Sequence, residues 1–264
     1  MANELQFALY AIKKNIQSSA ELRTSFLMNV IGMFVNNTAF ILLWVFFVKS
    51  VGVIGGWTAA DIIGLQGYTS LCYGVVFSTC FGIRKIPDYI SSGVFDRFML
   101  SPKNLLMRTA TSAFSVSSLG DIIFGVVCLC IYAVLIHAGL IQVALMLAIA
   151  CIASIIFLSA ILIINSLSFF FSDSSAVTGS LFELFLTPSL FHGGAFQGAM
   201  RFIFTFIIPS LLVGAIPVEI VRDASFEKFL LVGVLAVIWF LFSIYIFNRS
   251  VRHYESSNFM TFGS

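Results

Sequence analysis

Charged side chains are scarce in this chain of 264 residues. Asp, Glu, Lys and Arg together make up 10% of it, whereas hydrophobic residues make up 59%. A soluble domain carries about 25% charged residues, so an ordinary soluble fold is excluded. The composition predicts an all-α polytopic membrane protein, because a chain of this length holds about five to seven helices of roughly 20 residues.

Common catalytic signatures are also missing. The sequence contains no G-x-x-x-x-G-K-[ST] phosphate loop, no H-E-x-x-H and no G-x-S-x-G. We therefore predict that the chain is not an enzyme and binds no nucleotide or metal itself, and we expect no nucleic-acid partner. The five cysteines lie in apolar runs, which argues against a disulfide framework. Residues 1–23 are too charged for a cleavable signal peptide.

Six apolar stretches predict six transmembrane helices within a single domain that covers residues 1–264. The predicted spans 1 to 6 are residues 25–48, 60–81, 109–136, 141–170, 176–194 and 228–247. Before them, residues 1–24 repeat an apolar side chain every three or four positions, at Leu5, Leu9, Ile12 and Ile16. This spacing predicts an amphipathic helix at the membrane interface.

Residues 195–227, between spans 5 and 6, break the pattern. The apolar part is only about 15 residues long, which is too short to cross a bilayer, and Pro209 and Pro217 interrupt it. We predict an external re-entrant segment made of two half-helices. Six spans then place both termini and the 83–108 loop on one side. Ten basic residues lie on that side and four on the other, which predicts that it is the cytoplasmic side.

Several polar or small residues lie within the predicted spans. Asn36 and Asn37 fall in span 1, and Gly74 and Ser78 belong to a stripe of small residues in span 2 that lets another helix approach closely. Asp121 is expected roughly 18 Å into span 3. A carboxylate at that depth serves either a hydrogen bond between helices or the transport path, and both interpretations stay open. Span 5 contains Glu183 and Pro188, and the proline predicts a kink.

The longest polar interval between apolar blocks is residues 83–108. Apolar residues recur every four positions at Ile86, Ile90, Val94 and Phe98. The pattern predicts one or two short amphipathic helices at the inner surface, divided near Gly93. The alternative interpretation is an ordinary basic loop that only sets the membrane topology.

The loop from Ile90 to Pro102 reads ISSGVFDRFMLSP, the start of span 3 reads SSLGD from Ser117, and Pro209 and Pro217 precede the last helix. In the order and spacing of these motifs, and over essentially its whole length, the chain resembles the ABC-2 type permeases, the membrane subunits of ATP-binding-cassette exporters. Ser101 stands where many relatives have arginine. A Phe-His-Gly-Gly run from Phe191 stands near the place of the usual tyrosine–proline pair.

The resemblance implies two permease chains, identical or paralogous, working with two separate ATPase subunits that hold ATP and Mg. It implies a cytoplasmic coupling helix between spans 2 and 3 that docks on the ATPase. The coupling residues would be Ile86, Pro87, Ile90, Ser92, Gly93, Phe95, Asp96 and Arg97. Spans 1, 2 and 5 would line the path. The path candidates are Asn36, Asn37, Gly74, Ser78, Asp121, Phe182, Glu183 and Phe185.

We expect a permease subunit in the inner (cytoplasmic) membrane, surrounded by lipid. It would export an apolar or amphipathic substrate by alternating access. The alternative is a proton-driven secondary transporter that uses Asp121 or Glu183. A membrane protein for assembly or regulation is a third possibility.

Overall fold

A computed structural model describes residues 2–52, 55–171 and 174–254, without the side chains of residues 2, 3, 49 and 51. The side chain of Lys49 and the whole of Asp173, which the sequence assigns to opposite membrane faces, lie outside this part. Within it the chain is helical and forms no strand. The helices are α1 (Ala2–Ala20), α2 (Arg23–Val51), α3 (Ala59–Thr79), α4 (Ile86–Ser91), α5 (Phe95–Met99), α6 (Leu105–Ala110), α7 (Ser118–Leu135), α8 (Leu140–Ser166), α9 (Ser175–Ser189), α10 (Gly198–Phe202), α11 (Ala215–Asp223) and α12 (Phe226–Val251).

Four of the described helices are long and apolar enough to cross a membrane, namely α2, α7, α8 and α12. The helices α3 and α9, which the sequence assigns to spans 2 and 5, are not among these four. Polar residues lower the mean hydropathy of α3. The helix α9 has only 15 residues and is about 22 Å long, which is shorter than a hydrocarbon core of about 30 Å. Pro188 lies in the last turn of α9 and ends the helix instead of kinking its middle. The protein is thus a multi-helix membrane protein, and the number of six spans stays a prediction.

The stripe of small residues on α3 lies against α7. A Cβ on Gly74 would come within 2.7 Å of the Ile122 side chain and backbone nitrogen, and within 2.8 Å of the Ser118 carbonyl oxygen. Gly125 of α7 makes an equally close approach to Leu71 of α3. The two backbones can come this close only because glycine has no side chain. The stripe therefore serves helix packing, as its spacing predicts.

The predicted start of span 3 is wrong. The segment between Thr109 and Leu119 is not one helix, because α6 ends at Ala110 and α7 begins at Ser118. Several of its hydroxyls donate to nearby carbonyl groups, as Ser112 Oγ does to the Thr109 carbonyl oxygen and Ser118 Oγ to the Ser115 carbonyl oxygen. Such local bonds compete with helix formation. Asp121 consequently lies in the first turn of α7, not 18 Å inside a longer helix.

Residues 195–227 form two short helical pieces separated by an irregular stretch. α10 continues into a single π-turn (Ile203–Ile207), and α11 begins after residues 208–214. The side chains of Leu211, Leu212 and Val213 are almost fully buried in the main hydrophobic core. Protein therefore covers the irregular backbone, which is the condition for non-helical chain at membrane depth.

The bundle has two ends, which we call the loop end and the far end. At the far end Gln66 of α3 donates to the Leu190 carbonyl oxygen, and Gln142 of α8 donates to the Val221 carbonyl oxygen. The loop end holds α4, α5 and α6. α1 joins it through Asn15, which donates to the Thr111 carbonyl oxygen at 2.9 Å. The end of α12 joins it through Tyr254. Both described ends of the chain therefore lie at the loop end.

Candidate coupling surface and adjoining cavity

Residues 86–99, which we call the coupling segment, form two short helices, α4 and α5. Pro87 and Asp88 occupy the first turn of α4, positions that suit a helix start. Gly93 lies between the helices with φ of +68°, a left-handed conformation that glycine adopts without strain. The segment is therefore divided at Gly93, as the sequence predicts. A residue with a Cβ would be strained in this backbone conformation.

Two apolar residues anchor the coupling segment. The side chains of Ile86 and Phe95 are fully buried. The Phe95 ring lies 5.0 Å from the Phe169 ring, at the end of α8, and 5.1 Å from the Tyr254 ring, after α12. Burying a phenylalanine contributes about 1.5–3 kcal/mol. Phe95 is thus a structural anchor that ties the segment to the ends of α8 and α12.

A hydrogen bond fixes the second helix further. Tyr254 Oη donates to Asp96 Oδ1 at 2.8 Å. Burial raises the pKa of the Tyr254 phenol well above its ordinary value, and the hydrogen bond to Asp96 and the carboxylate charge raise it further. At neutral pH the phenol is therefore a stable donor, and it holds Asp96 and the start of α5 in place.

Other residues of the segment face outward. Ser92, Arg97 and Met99 are exposed, as is Leu100, the residue directly after the segment. Leu100 is 87% exposed and Met99 48%. Ile90 and Gly93 are half-buried, and Pro87 is buried. The eight predicted coupling residues therefore divide into an inner set that holds the segment and an outer set that a partner could touch. Sequence reasoning missed Met99, Leu100 and Tyr254, although the apolar pair next to a charged helix was a visible signal.

Two of the path candidates form a direct pair. Asn37 Nδ2 of α2 donates to Asp121 Oδ1 of α7 at 2.7 Å. Asp121 is 2% exposed, and its Oδ2 is buried with no partner among the described residues. Asn36, one residue before, is exposed on α2. The structure thus gives Asn37 and Asp121 an interhelical bond, while Asn36 faces away from the chain.

The other path candidates are spread over α3 and α9. Gly74 packs on α7, and Ser78 Oγ donates to the Val75 carbonyl oxygen of its own helix. Phe182 and Phe185 are buried on one side of α9, whereas Glu183 is exposed. These candidates therefore do not all meet at one surface, and their part in transport stays a prediction.

A cavity of about 400 Å³ opens between α3 and α9 at the loop end, beside the coupling segment. We call it the Arg84 cavity. Tyr73, Phe77 and Phe182 line its aromatic part, and Arg84 and Ser175 belong to its polar part. Sequence reasoning used Arg84 only to set the topology and missed Tyr73. Since α9 lies too far along the chain for local spacing to show the contact, no sequence signal was available.

Tyr73 belongs to the aromatic wall of this cavity. Its ring lies 4.4 Å from the Phe77 ring and 6.4 Å from the Phe182 ring. Aromatic residues of α3 and α9 therefore meet at the cavity.

The sequence of this chain matches one known family of membrane proteins. A family model described as "ABC-2 family transporter protein" matches residues 34–258. The chain belongs to the ABC-2 transporter family. No curated protein and no solved structure matched it. The match covers the coupling segment, the Arg84 cavity and all eight path candidates, and it begins after α1.

Membership in the ABC-2 family gives the chain a role as an ABC permease, the membrane subunit of a transporter. Permeases of this family are generally not catalytic themselves, and the family implies association with ABC ATPase subunits. The expected resemblance is thereby confirmed. In an ABC-2 permease the exposed side of the coupling segment is a candidate contact surface for such a subunit.

Proposed function

We propose that this ABC-2 permease exports an apolar or amphipathic substrate by alternating access, driven by ATPase subunits that dock on its coupling segment. ATP and Mg would be held by two such subunits. A second permease chain, identical or paralogous, would complete the transporter. The permease would lie in the inner membrane with both termini in the cytoplasm, since the six-span arrangement puts ten of its fourteen basic residues on the side of the 83–108 loop.

The exposed face of the coupling segment, together with Leu100 directly after it, is the observation that carries this proposal. Leu100 is 87% exposed, yet α5 next to it is fixed through Phe95 and Asp96 to the ends of α8 and α12. A force on the exposed face would therefore reach two long helices directly. An unanchored basic loop, which would serve only the topology, would not need these contacts.

A pairing surface for the second permease chain is available on α2. In the apolar part of this helix only 6% of residues are buried within the chain. Asn36 lies there with an exposed amide, which is costly in hydrocarbon unless a partner satisfies it. The pairing accordingly accounts for an exposed polar group that lipid would not solvate.

Two matched leucine variants test the docking surface. Leu100 at the loop end is 87% exposed and Leu140 at the far end is 88% exposed. Each is replaced by Glu, and the permease is co-expressed with candidate ABC ATPase subunits and purified through a tag on the permease. We expect Leu100→Glu to lower the amount of co-purified ATPase about tenfold or more, because a charge opposes burial of that surface. Leu140→Glu should keep the wild-type amount.

The wild-type experiment has its own negative outcome. Failure of every candidate ATPase to co-purify with the wild-type permease would contradict the proposed function. Equal losses in the two leucine variants would show that the coupling surface lies elsewhere.

A second candidate function is proton-driven transport by the permease alone. The buried and unpartnered Asp121 Oδ2 favours it, because a carboxylate there could exchange a proton during a cycle. Uptake by the permease alone in liposomes under a proton gradient, lost in Asp121→Asn, would support this function. Absence of any such uptake would remove it.

A further inference from the structure

We infer that the Arg84 cavity binds the head of an anionic amphiphile, a molecule with one carboxylate or phosphate group and an apolar chain. This inference rests on the proposed function, because it names the chemical class of the cargo. Its evidence is the distribution of charge and aromatic surface in a cavity of about 400 Å³, within the range of about 300–1,000 Å³ typical of ligand pockets.

The polar part of the cavity has an excess positive charge. Among the described residues, its charged lining residues are Arg84, Lys85 and Asp88, which gives two cations and one carboxylate. Lys85 Nζ forms an ion pair with Asp88 Oδ2 at 3.0 Å. Arg84 forms no ion pair with any carboxylate in the part of the chain that the structure describes. One guanidinium therefore remains available to a ligand.

Arg84 is held in place without a carboxylate. Its guanidinium carbon lies 4.6 Å from the centre of the Phe182 ring, a cation–π contact between the loop end and α9. A guanidinium on an aromatic ring keeps edge N–H groups that can donate to an anion. Arginine binds carboxylate and phosphate through two parallel hydrogen bonds. An anionic head is thus the chemistry that this site accepts.

The other part of the cavity accepts an apolar chain. Tyr73, Phe77 and Phe182 form a connected aromatic wall, with Phe77 and Phe182 ring centres 6.1 Å apart. Tyr73 and Phe77 belong to α3, and Phe182 belongs to α9. A ligand whose head lies on Arg84 would therefore place its chain between these two helices. A cationic amphiphile would face the guanidinium and be repelled.

Binding of a fluorescent pair tests the inference on the purified permease alone in neutral detergent. The probes are 11-(dansylamino)undecanoic acid and its uncharged methyl ester, which share the same chain. We expect the acid to bind roughly tenfold or more tightly than the ester, the size of one charge-assisted contact. The preference should fall to about one in Arg84→Gln and return in Arg84→Lys.

Arg108→Gln is the matched control. Arg108 is also half-buried at the loop end, with its guanidinium carbon 5.5 Å from the centre of the Phe98 ring, but it does not line the cavity. This variant should keep the wild-type preference for the acid. An equal loss in Arg108→Gln and Arg84→Gln would overturn the inference.

The wild-type protein alone can also overturn the inference, even if Arg84→Gln fails to fold. Equal binding of acid and ester to the wild type would exclude an anion site.

Competition for the bound acid identifies the source of the anionic head. Inorganic phosphate tests the free anion, and a comparison of dioctanoyl phosphatidylglycerol with dioctanoyl phosphatidylcholine tests an anionic lipid. We expect phosphatidylglycerol to displace the acid, and phosphatidylcholine not to displace it. Displacement by inorganic phosphate alone would overturn the amphiphile assignment.

The outcomes separate this inference from the proposed function. Binding is measured without any ATPase, so it does not depend on docking. A wild-type permease that co-purifies with an ATPase but does not prefer the acid would leave the exporter proposal intact. It would contradict the assignment of an anionic amphiphile as the ligand.

Discussion

Asn37 of α2 and Asp121 of α7 are joined by a hydrogen bond of 2.7 Å. The bond connects two helices that are far apart in the sequence, and it supplies a hydrogen-bond donor to the buried Asp121 carboxylate. Asp121 is also in the first turn of α7, where the free N–H groups of the helix start stabilise a negative charge. Two different effects thus favour a carboxylate at this position.

Replacing Asn37 with Ala should lower the free energy of unfolding by about 1–3 kcal/mol, because it leaves a buried polar group without its partner. Unfolding by sodium dodecyl sulfate in mixed micelles measures the loss. Asn248→Ala on α12 is the control, since Asn248 is exposed, and its effect should stay within about 0.5 kcal/mol. Equal effects at the two positions would contradict the role given to Asn37.

Replacing Gly74 with Ala should destabilise the protein by about 1–3 kcal/mol, the usual cost of overpacking. The new Cβ would lie within 2.7 Å of Ile122 and would push α3 away from α7. Gly32 on α2 has nothing within 4 Å of its Cβ position. Gly32→Ala should therefore leave stability unchanged or raise it by roughly 0.5–1 kcal/mol, since alanine favours a helix. Thermal unfolding in detergent compares the two, and a stable Gly74→Ala protein would argue against the close packing.

The ion pairs at the far end should differ in strength. Arg222 lies 3.4 Å from Asp61, whose side chain is 3% exposed, whereas Lys228 and Asp223 form a pair in which both side chains are more than 40% exposed. Arg222→Gln should cost about 1–2 kcal/mol, less than the roughly 3–5 of fully buried pairs because Arg222 is partly exposed. Lys228→Gln should cost about 0–1 kcal/mol. The same unfolding assay ranks the two, and the reverse order would show that burial does not govern this cluster.

Tyr254 should give the loop end a dependence on alkaline pH. The pKa of its phenol is raised in the folded protein, first by burial and then by the bond to Asp96. Its contribution to stability is therefore complete below the ordinary tyrosine pKa of about 10 and is lost as the pH rises toward the folded value. Thermal unfolding between pH 8 and 11 should show a steeper loss for wild type than for Tyr254→Phe. Parallel curves would mean that the phenol titrates normally.

The sequence predicts the helical class, the division of the coupling segment at Gly93 and the packing role of Gly74 because these depend on local spacing. It misplaces the start of α7, because Thr111, Ser112 and Ser118 donate to nearby backbone carbonyl groups, and no hydropathy pattern shows such bonds. It also misses the Arg84 cavity, whose two walls are separated by about a hundred residues of chain. Contacts of that kind depend on how helices assemble.

The Arg222–Asp61 pair has a consequence for synthesis of the protein in the membrane. The partners are 161 residues apart, and at about 5–20 residues per second the ribosome makes Arg222 roughly 8–32 s after Asp61. During this interval Asp61 still has Thr58, whose backbone N–H and hydroxyl both donate to its carboxylate at 2.9 Å. The capping box of α3 thus protects an acidic side chain during insertion, before the last third of the chain exists to neutralise it.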